Sequence, residues 1–275
     1  MKGVGRLLVA GLALAALAAP AAHAQVYTLA EQASGFDVAV DAAGTAHVAW
    51  GVEGQPDVLQ YCRIPRGAQQ CAVTHRLGAV DQAFGPPLVV VTPSNDVVVA
   101  QHRCCSEQTF RGDLDGAQLF VSTDGGTTFS AGAHPLRGPA QHATFGPGDF
   151  AISVAGGGAE GTWWHLLPFG PGAGAVQSVQ LATLASGKIF DASAGLLDAT
   201  TPVATYGDGD RVYLRRHDGS GPYGDAANWG PEVVVGEGGD AQLASSPLRG
   251  AWLLMHAGPR AEEHVVVRRV TATGL

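Results

Sequence analysis

Cysteines, histidines and short acidic turns are the residues of this 275-residue chain whose types and spacing could do chemistry. "QHRCC" places His102 next to Cys104 and Cys105, donors that a soft metal would accept. Consecutive strand residues face opposite ways, so two adjacent thiolates seldom share one ion. The pair reads instead as a vicinal bridge, with Cα atoms only about 3.8 Å apart and therefore strained. Pairing with Cys62 or Cys71 is the alternative. "GDGD" at 207–210 has the oxygens for calcium but is more simply a hairpin, and Arg111-Gly112-Asp113 in a loop is a chance tripeptide. "SGKI" fails as a phosphate loop, with Ile189 where Ser or Thr is needed and Ala182 where the first Gly belongs. Neither G-x-S-x-G nor H-E-x-x-H occurs. Trp163-Trp164-His165 puts one tryptophan on each face of a strand, one for a core and the other for the next layer or a sugar. No metal or cofactor is expected.

What must position these residues is β-structure. Short β-rich runs recur every eight to twelve residues between Gly, Pro, Asp and Asn, the pattern of an all-β domain. Residues 36–77 parse as four antiparallel strands, 36–41, 46–51, 57–64 and 71–77, which is one propeller blade. The cadence repeats from Pro86, from Gly148, from Ile189 and from Asp240. The expectation is an all-β propeller of about five, or six, four-stranded antiparallel blades. The fifth unit stops after its third strand. Either the N-terminal segment 26–30 completes it by pairing with 264–270, or the chain is an incomplete fragment of a larger propeller.

Between the third and fourth strands of the second unit lies "STDGGTTF". Asp124 can accept hydrogen bonds from N–H groups inside the turn, and Gly125 and Gly126 supply positive φ. In the first unit the equivalent hairpin is "CRIPRGAQQC", where Cys62 and Cys71 face each other and a bridge is expected.

The first 24 residues read as a Sec signal peptide: Lys2 and Arg6, an apolar run, then "AHA" before Gln25. Residues 25–275 read as a single β-propeller domain, secreted to the periplasm or beyond, monomeric and without membrane insertion. Removing Lys2 and Arg6 from the 16 basic residues leaves 14 against 24 acidic ones, a formal net charge of −10. With no basic run, nucleic acid and anionic membranes are excluded as partners.

Ser122, Asp124, Gly126, Thr128 and Phe129 resemble the Asp-box (BNR repeat) of secreted bacterial propellers, a class that includes the sialidases. That resemblance implies a structural turn away from the catalytic face. "HDGSG…NW" in the fourth unit looks like a lengthened copy. Arg63-Ile64-Pro65 resembles the sialidase F/Y-R-I-P motif, which would make Arg63 a carboxylate-binding residue with Arg103, Arg215 or Arg268 as partners. Such a site also needs a tyrosine nucleophile assisted by a glutamate. The chain departs from the motif, with Cys62 at the aromatic position and the tripeptide on a third strand. The expected function is a non-catalytic propeller that binds a glycan or an extracellular protein, with no catalytic residue. The alternative is a sialidase-like exo-glycosidase.

Overall fold

The apolar runs become strands that pair with their neighbours in chain order. The computed structural model describes residues 28–30, 33, 35–52, 57–80, 85–103, 116–137, 140–148, 150–158, 161–170, 172–187, 190–238, 241–246, 250–257 and 264–271. The first sheet holds β1 (Gly35–Val40), β2 (Ala46–Val52), β3 (Asp57–Ile64) and β4 (Val73–Val80) in that order. The second holds β5 (Leu88–Val91), β6 (Val97–Arg103), β7 (Gly116–Ser122) and β8 (Ser130–Pro135). In the third are β9 (His142–Phe145), β10 (Ala151–Gly158), β11 (Gly161–Pro168) and β12 (Gln177–Thr183). The fourth comprises β13 (Phe190–Leu196), β14 (Pro202–Gly207), β15 (Arg211–Arg216) and β16 (Val233–Glu237). The last contains β17 (Ala241–Ser246), β18 (Gly250–Ala257) and β19 (His264–Val270). Every pairing within these sheets is antiparallel, the meander of a propeller blade.

Four apolar layers hold successive blades face to face. Ala49, Leu59 and Tyr61 of the first blade meet Val89, Val97, Val99 and Phe120 of the second. Val98 and Leu119 of the second meet Ile152, Val154 and Leu167 of the third. The third-to-fourth layer is aromatic, built on Trp164, Tyr206, Tyr213 and Trp229. Val203, Val212 and Leu214 of the fourth then meet Leu243, Leu253 and Met255 of the fifth.

The first strand of each blade has a sheet neighbour on one side only, so some of its N–H groups need other acceptors. Side chains of the preceding blade supply them. Asp37 Oδ2 accepts from Val89 N at 2.7 Å, and Gln141 Oε1 from Ala192 N at 3.0 Å. His142 Nδ1 accepts from Ala194 N at 3.2 Å, and Ser193 Oγ from Leu243 N at 2.9 Å. Burial pushes the His142 imidazole down to about 4, so it serves as a neutral acceptor.

Two strand expectations need correction. The third blade begins one strand earlier than Gly148: its first strand is β9, and β10 is its second. Closure of the last blade by the N-terminal strand is not seen either. That sheet has three strands among the described residues; of the expected segment 26–30, residues 26 and 27 lie outside the described residues and 28–30 form no strand. Leu29 and Ala30 instead pack on Trp50, Cys62 and Ile64, an apolar patch on the outer face of the first blade. Burying Leu29 there competes with pairing at β19. The expected signal segment 1–24 lies outside the described residues, and among those described no helix is long and apolar enough to cross a membrane.

Candidate functional site

Antiparallel order puts the first-to-second and third-to-fourth strand turns at one end of the array. The second-to-third connections and the crossings between blades lie at the other. The 122–129 turn belongs to the first end. There Asp124 Oδ1 accepts from Thr127 N at 3.0 Å and Thr128 N at 2.8 Å, and Oδ2 accepts from the Thr128 hydroxyl at 2.7 Å. Ser122 Oγ donates to Asp124 Oδ1 and accepts from Gly126 N, both at 2.7 Å. These donors, Thr128 N foremost, hold the Asp124 carboxyl well below the usual carboxylate range.

The turn is docked on the first blade. Arg63 Nη1 donates to Gly125 O and to Thr127 Oγ1, each at 3.1 Å, and His75 Nε2 lies 2.9 Å from Thr127 O. Phe129 meets the Tyr61 ring edge-on at 4.8 Å and His75 at 5.4 Å. Gly126, at φ +83°, lies so close to Tyr61 that an added Cβ would fall 1.9 Å from the phenol oxygen. Only glycine fits. Behind it Tyr61 Oη sits 2.7 Å from His47 Nδ1, and His47 Nε2 lies 3.5 Å from Asp41 Oδ2. Asp41 only accepts, so the Nε2 proton faces it and Nδ1 accepts from Tyr61. Burial raises the Tyr61 phenol and lowers the His47 imidazole, which keeps both neutral. On the same hairpin Cys62 and Cys71 form a disulfide, with Cα atoms 5.5 Å apart.

The arginines nominated with Arg63 do not gather around it. Arg215 donates to Leu181 O at 3.3 Å, Trp229 O at 2.9 Å and Gly230 O at 3.0 Å, and Arg268 to Val235 O at 2.9 Å. They lie in the fourth and fifth blades, and the side chain of Arg103 is outside the described residues. A tyrosine–glutamate pair does exist: Tyr206 Oη donates to Glu232 Oε2 at 3.0 Å. Tyr206 is fully buried, and burial with the Glu232 charge holds its phenol far above the usual range. A covered, protonated phenol cannot attack a substrate. With the partners 26 positions apart, the sequence carried no signal for this pair.

The remaining candidates resolve individually. Cys104, Cys105 and Arg111–Asp113 lie outside the described residues. Asp208 of "GDGD" caps its own turn, accepting from Asp210 N at 3.0 Å and Arg211 N at 2.8 Å, while Tyr213 Oη donates to its Oδ2 at 2.5 Å. Trp164 is core, edge-on to Trp229 at 5.0 Å. Trp163, on the other face, lies beneath the Arg137 guanidinium and stacks with His165. Its ring is engaged within the protein rather than offered to a sugar. Burial pushes His165 down to about 4, and it bonds to Ser178 Oγ and Arg137 O.

The other end of the array carries a residue the sequence did not single out. Asp37 is half-buried near the start of the innermost strand of the first blade. Its Oδ1 accepts from Val38 N at 2.8 Å and its Oδ2 from Val89 N at 2.7 Å. Burial outweighs these bonds and raises its pKa. A lone aspartate in a strand gives no sequence cue.

No protein-family model matches the chain, and no curated protein matches it in sequence. Solved structures do match. A Penicillium chrysogenum α-L-arabinanase complexed with arabinobiose has 9% identity and a TM-score of 0.48, over 84% of this chain and 77% of that one. A GH43_1 enzyme from Xanthomonas citri complexed with xylotriose has 12% identity and a TM-score of 0.45, over 89% of each chain. The Trypanosoma rangeli sialidase has 10% identity and a TM-score of 0.45, over 85% of this chain and 46% of that one. These neighbours are enzymes by name, which runs against the expectation of a non-catalytic binding propeller.

Proposed function

We propose that the chain is a secreted glycoside hydrolase built on a β-propeller, with its reaction centre at the end of the array that carries Asp37. The observation that supports this is the state of that carboxyl group. It sits on an innermost strand, is half-buried, has a raised pKa, and is fixed in plane by one N–H on each oxygen. A carboxyl with those properties suits a general acid that protonates the departing glycosidic oxygen, while water supplies the hydroxyl that replaces it on the sugar carbon.

In this reading residues 1–24 direct export, residues 25–275 form the propeller, and 122–129 is an Asp-box turn with a structural role. The Cys62–Cys71 bridge agrees with an oxidising compartment. Arg63 belongs to the turn rather than to a carboxylate-binding site, since its bonds lie at the opposite end of the blade from Asp37.

The test is turnover of fluorogenic sialoside, arabinofuranoside and xyloside by the mature chain. One of them should be hydrolysed, with activity falling as pH rises through the Asp37 pKa. Asp37→Asn should lower kcat by about 10²–10⁴-fold, whereas Arg63→Ala should leave it within a few-fold. Turnover of none, or an unimpaired Asp37→Asn variant, would overturn the proposal.

A further inference from the structure

The second, third and fourth blades each use two faces. One packs on the preceding blade and one on the following blade, through the four apolar layers. At the two ends a face is left over. On the first blade Phe36, Val38 and Val40 share the face that blades two to five turn toward their predecessors, and they are 69%, 51% and 64% exposed. On the fifth, the register of β18 and β19 puts Trp252, Leu254, Val265 and Val267 on the face that blades one to four turn toward their successors. Val265 and Val267 are 62% and 55% exposed. Isolated exposed apolar residues are ordinary, but contiguous apolar faces of this kind mark interaction sites.

The first-blade face is a groove of about 600 Å³ whose walls include Leu29, Phe36, Val38, Val48 and Trp50. Among the described residues that line it, Thr28 and the Trp50 indole carry the only side-chain hydrogen-bonding groups. A glycan there would leave its hydroxyls unpaired, and a polar group buried without a partner is costly. The fifth-blade face brings fewer such groups, the polar side chains on its strands among the described residues being Gln242 opposite Leu254 and Arg269 opposite Trp252. Leu29 and Ala30 cover only the Trp50–Ile64 part, and Phe36, Val38 and Val40 stay open.

We infer that copies of this chain associate head to tail, the fifth-blade face of one copy seating on the first-blade face of another. The contact continues the blade-on-blade packing made four times within the chain, and each end has the face that the other lacks. Such a contact is heterologous: different patches meet, so one copy offers a donor end and an acceptor end.

Sedimentation of the mature chain between about 1 and 100 µM, a range that spans micromolar affinity, should show a dimer or larger species that grows with concentration. Val40→Glu and Val267→Glu should each give monomers with an unchanged circular dichroism spectrum. Their equimolar mixture should recover a pair, because one intact face survives on each variant, and that pair should not extend further. A monomer at every concentration would overturn the inference. So would a Val267→Glu variant that still dimerises, which would indicate like-with-like contact of first blades. A Val40→Cys/Val267→Cys variant that cross-links within single chains would also overturn it, replacing association with closure of the ring on itself.

Discussion

The turn at 122–129 and the longer one at 217–229 join the third and fourth strands of their blades, and they reach the preceding blade by different means. In the first, the acid is the hub. Asp124 collects three hydrogen bonds from Thr127 and Thr128, and Phe129 is a partly buried ring against Tyr61 and His75. In the second, the aromatic is the hub. Trp229 is almost fully buried in the layer between blades three and four, and its indole N–H donates to Tyr223 O at 2.8 Å. The acids there are not hubs: Asp218 serves Ser220, and Asp225 accepts from Ala227 N at 2.9 Å. Gln177 of the preceding blade anchors the loop through Tyr223 N and Gly224 N. The shared element is an aromatic delivered to the blade before it. The carboxylate is one way of shaping the loop that delivers it, and a longer loop anchored from outside is another.

The largest break in this comparison should come from Trp229→Ala. Removing a buried aromatic and leaving a cavity costs about 3–5 kcal/mol, and denaturant unfolding should show it as a lower midpoint. Next is the hairpin beside the first turn. Replacing Cys62 and Cys71 together by Ser should lower stability by about 2–3 kcal/mol on the loop-entropy estimate. Peptide mapping without reductant should recover the two cysteines in one linked fragment of the parent.

Asp124→Asn should cost about 1–2 kcal/mol at neutral pH, the value of hydrogen bonds to a charged acceptor reduced by solvent screening. The sign of its pH dependence follows from the lowered pKa. The contribution is complete above the unfolded-state value and is lost as pH falls toward the folded-state value. The gap in melting midpoint between parent and variant should therefore be constant from pH 8 to 5 and narrow below about pH 4. A gap that persisted in acid would show that the charge is not what matters. The smallest effect belongs to Asp218→Ala, whose carboxylate is fully exposed. Its melting midpoint should match the parent within error, and a clear drop would make the two turns equivalent after all.

The internal design of the first turn was legible because it is local. Ser122, Asp124, Gly126 and Thr128 are within four residues of the atoms they bond. Its seat was not, since Arg63 and His75 reach it from 62 and 52 residues away. The repeating strands were readable from alternation and turn residues, apart from β12, blurred by the Gly/Pro run before it, and β9. That strand is four residues long, with two polar positions, and gives almost no pattern. The N-terminal segment was read from strand propensity and from the missing fourth strand of the last unit, whereas Leu29 answers to an apolar patch assembled from β2 and β3. Asp37 escaped notice because what distinguishes it is burial and its place on an innermost strand, neither visible in one residue's identity.

The hydrogen bonds between first strands have a direction. Asp37 accepts from the second blade, Gln141 and His142 of the third blade from the fourth, and Ser193 of the fourth from the fifth. In each case the acceptor comes earlier in the chain than the donor. Because synthesis runs from the N-terminus and earlier segments emerge first, each blade carries its half of the bond before the amide that needs it has been made. The propeller is wired in the order in which the ribosome releases it.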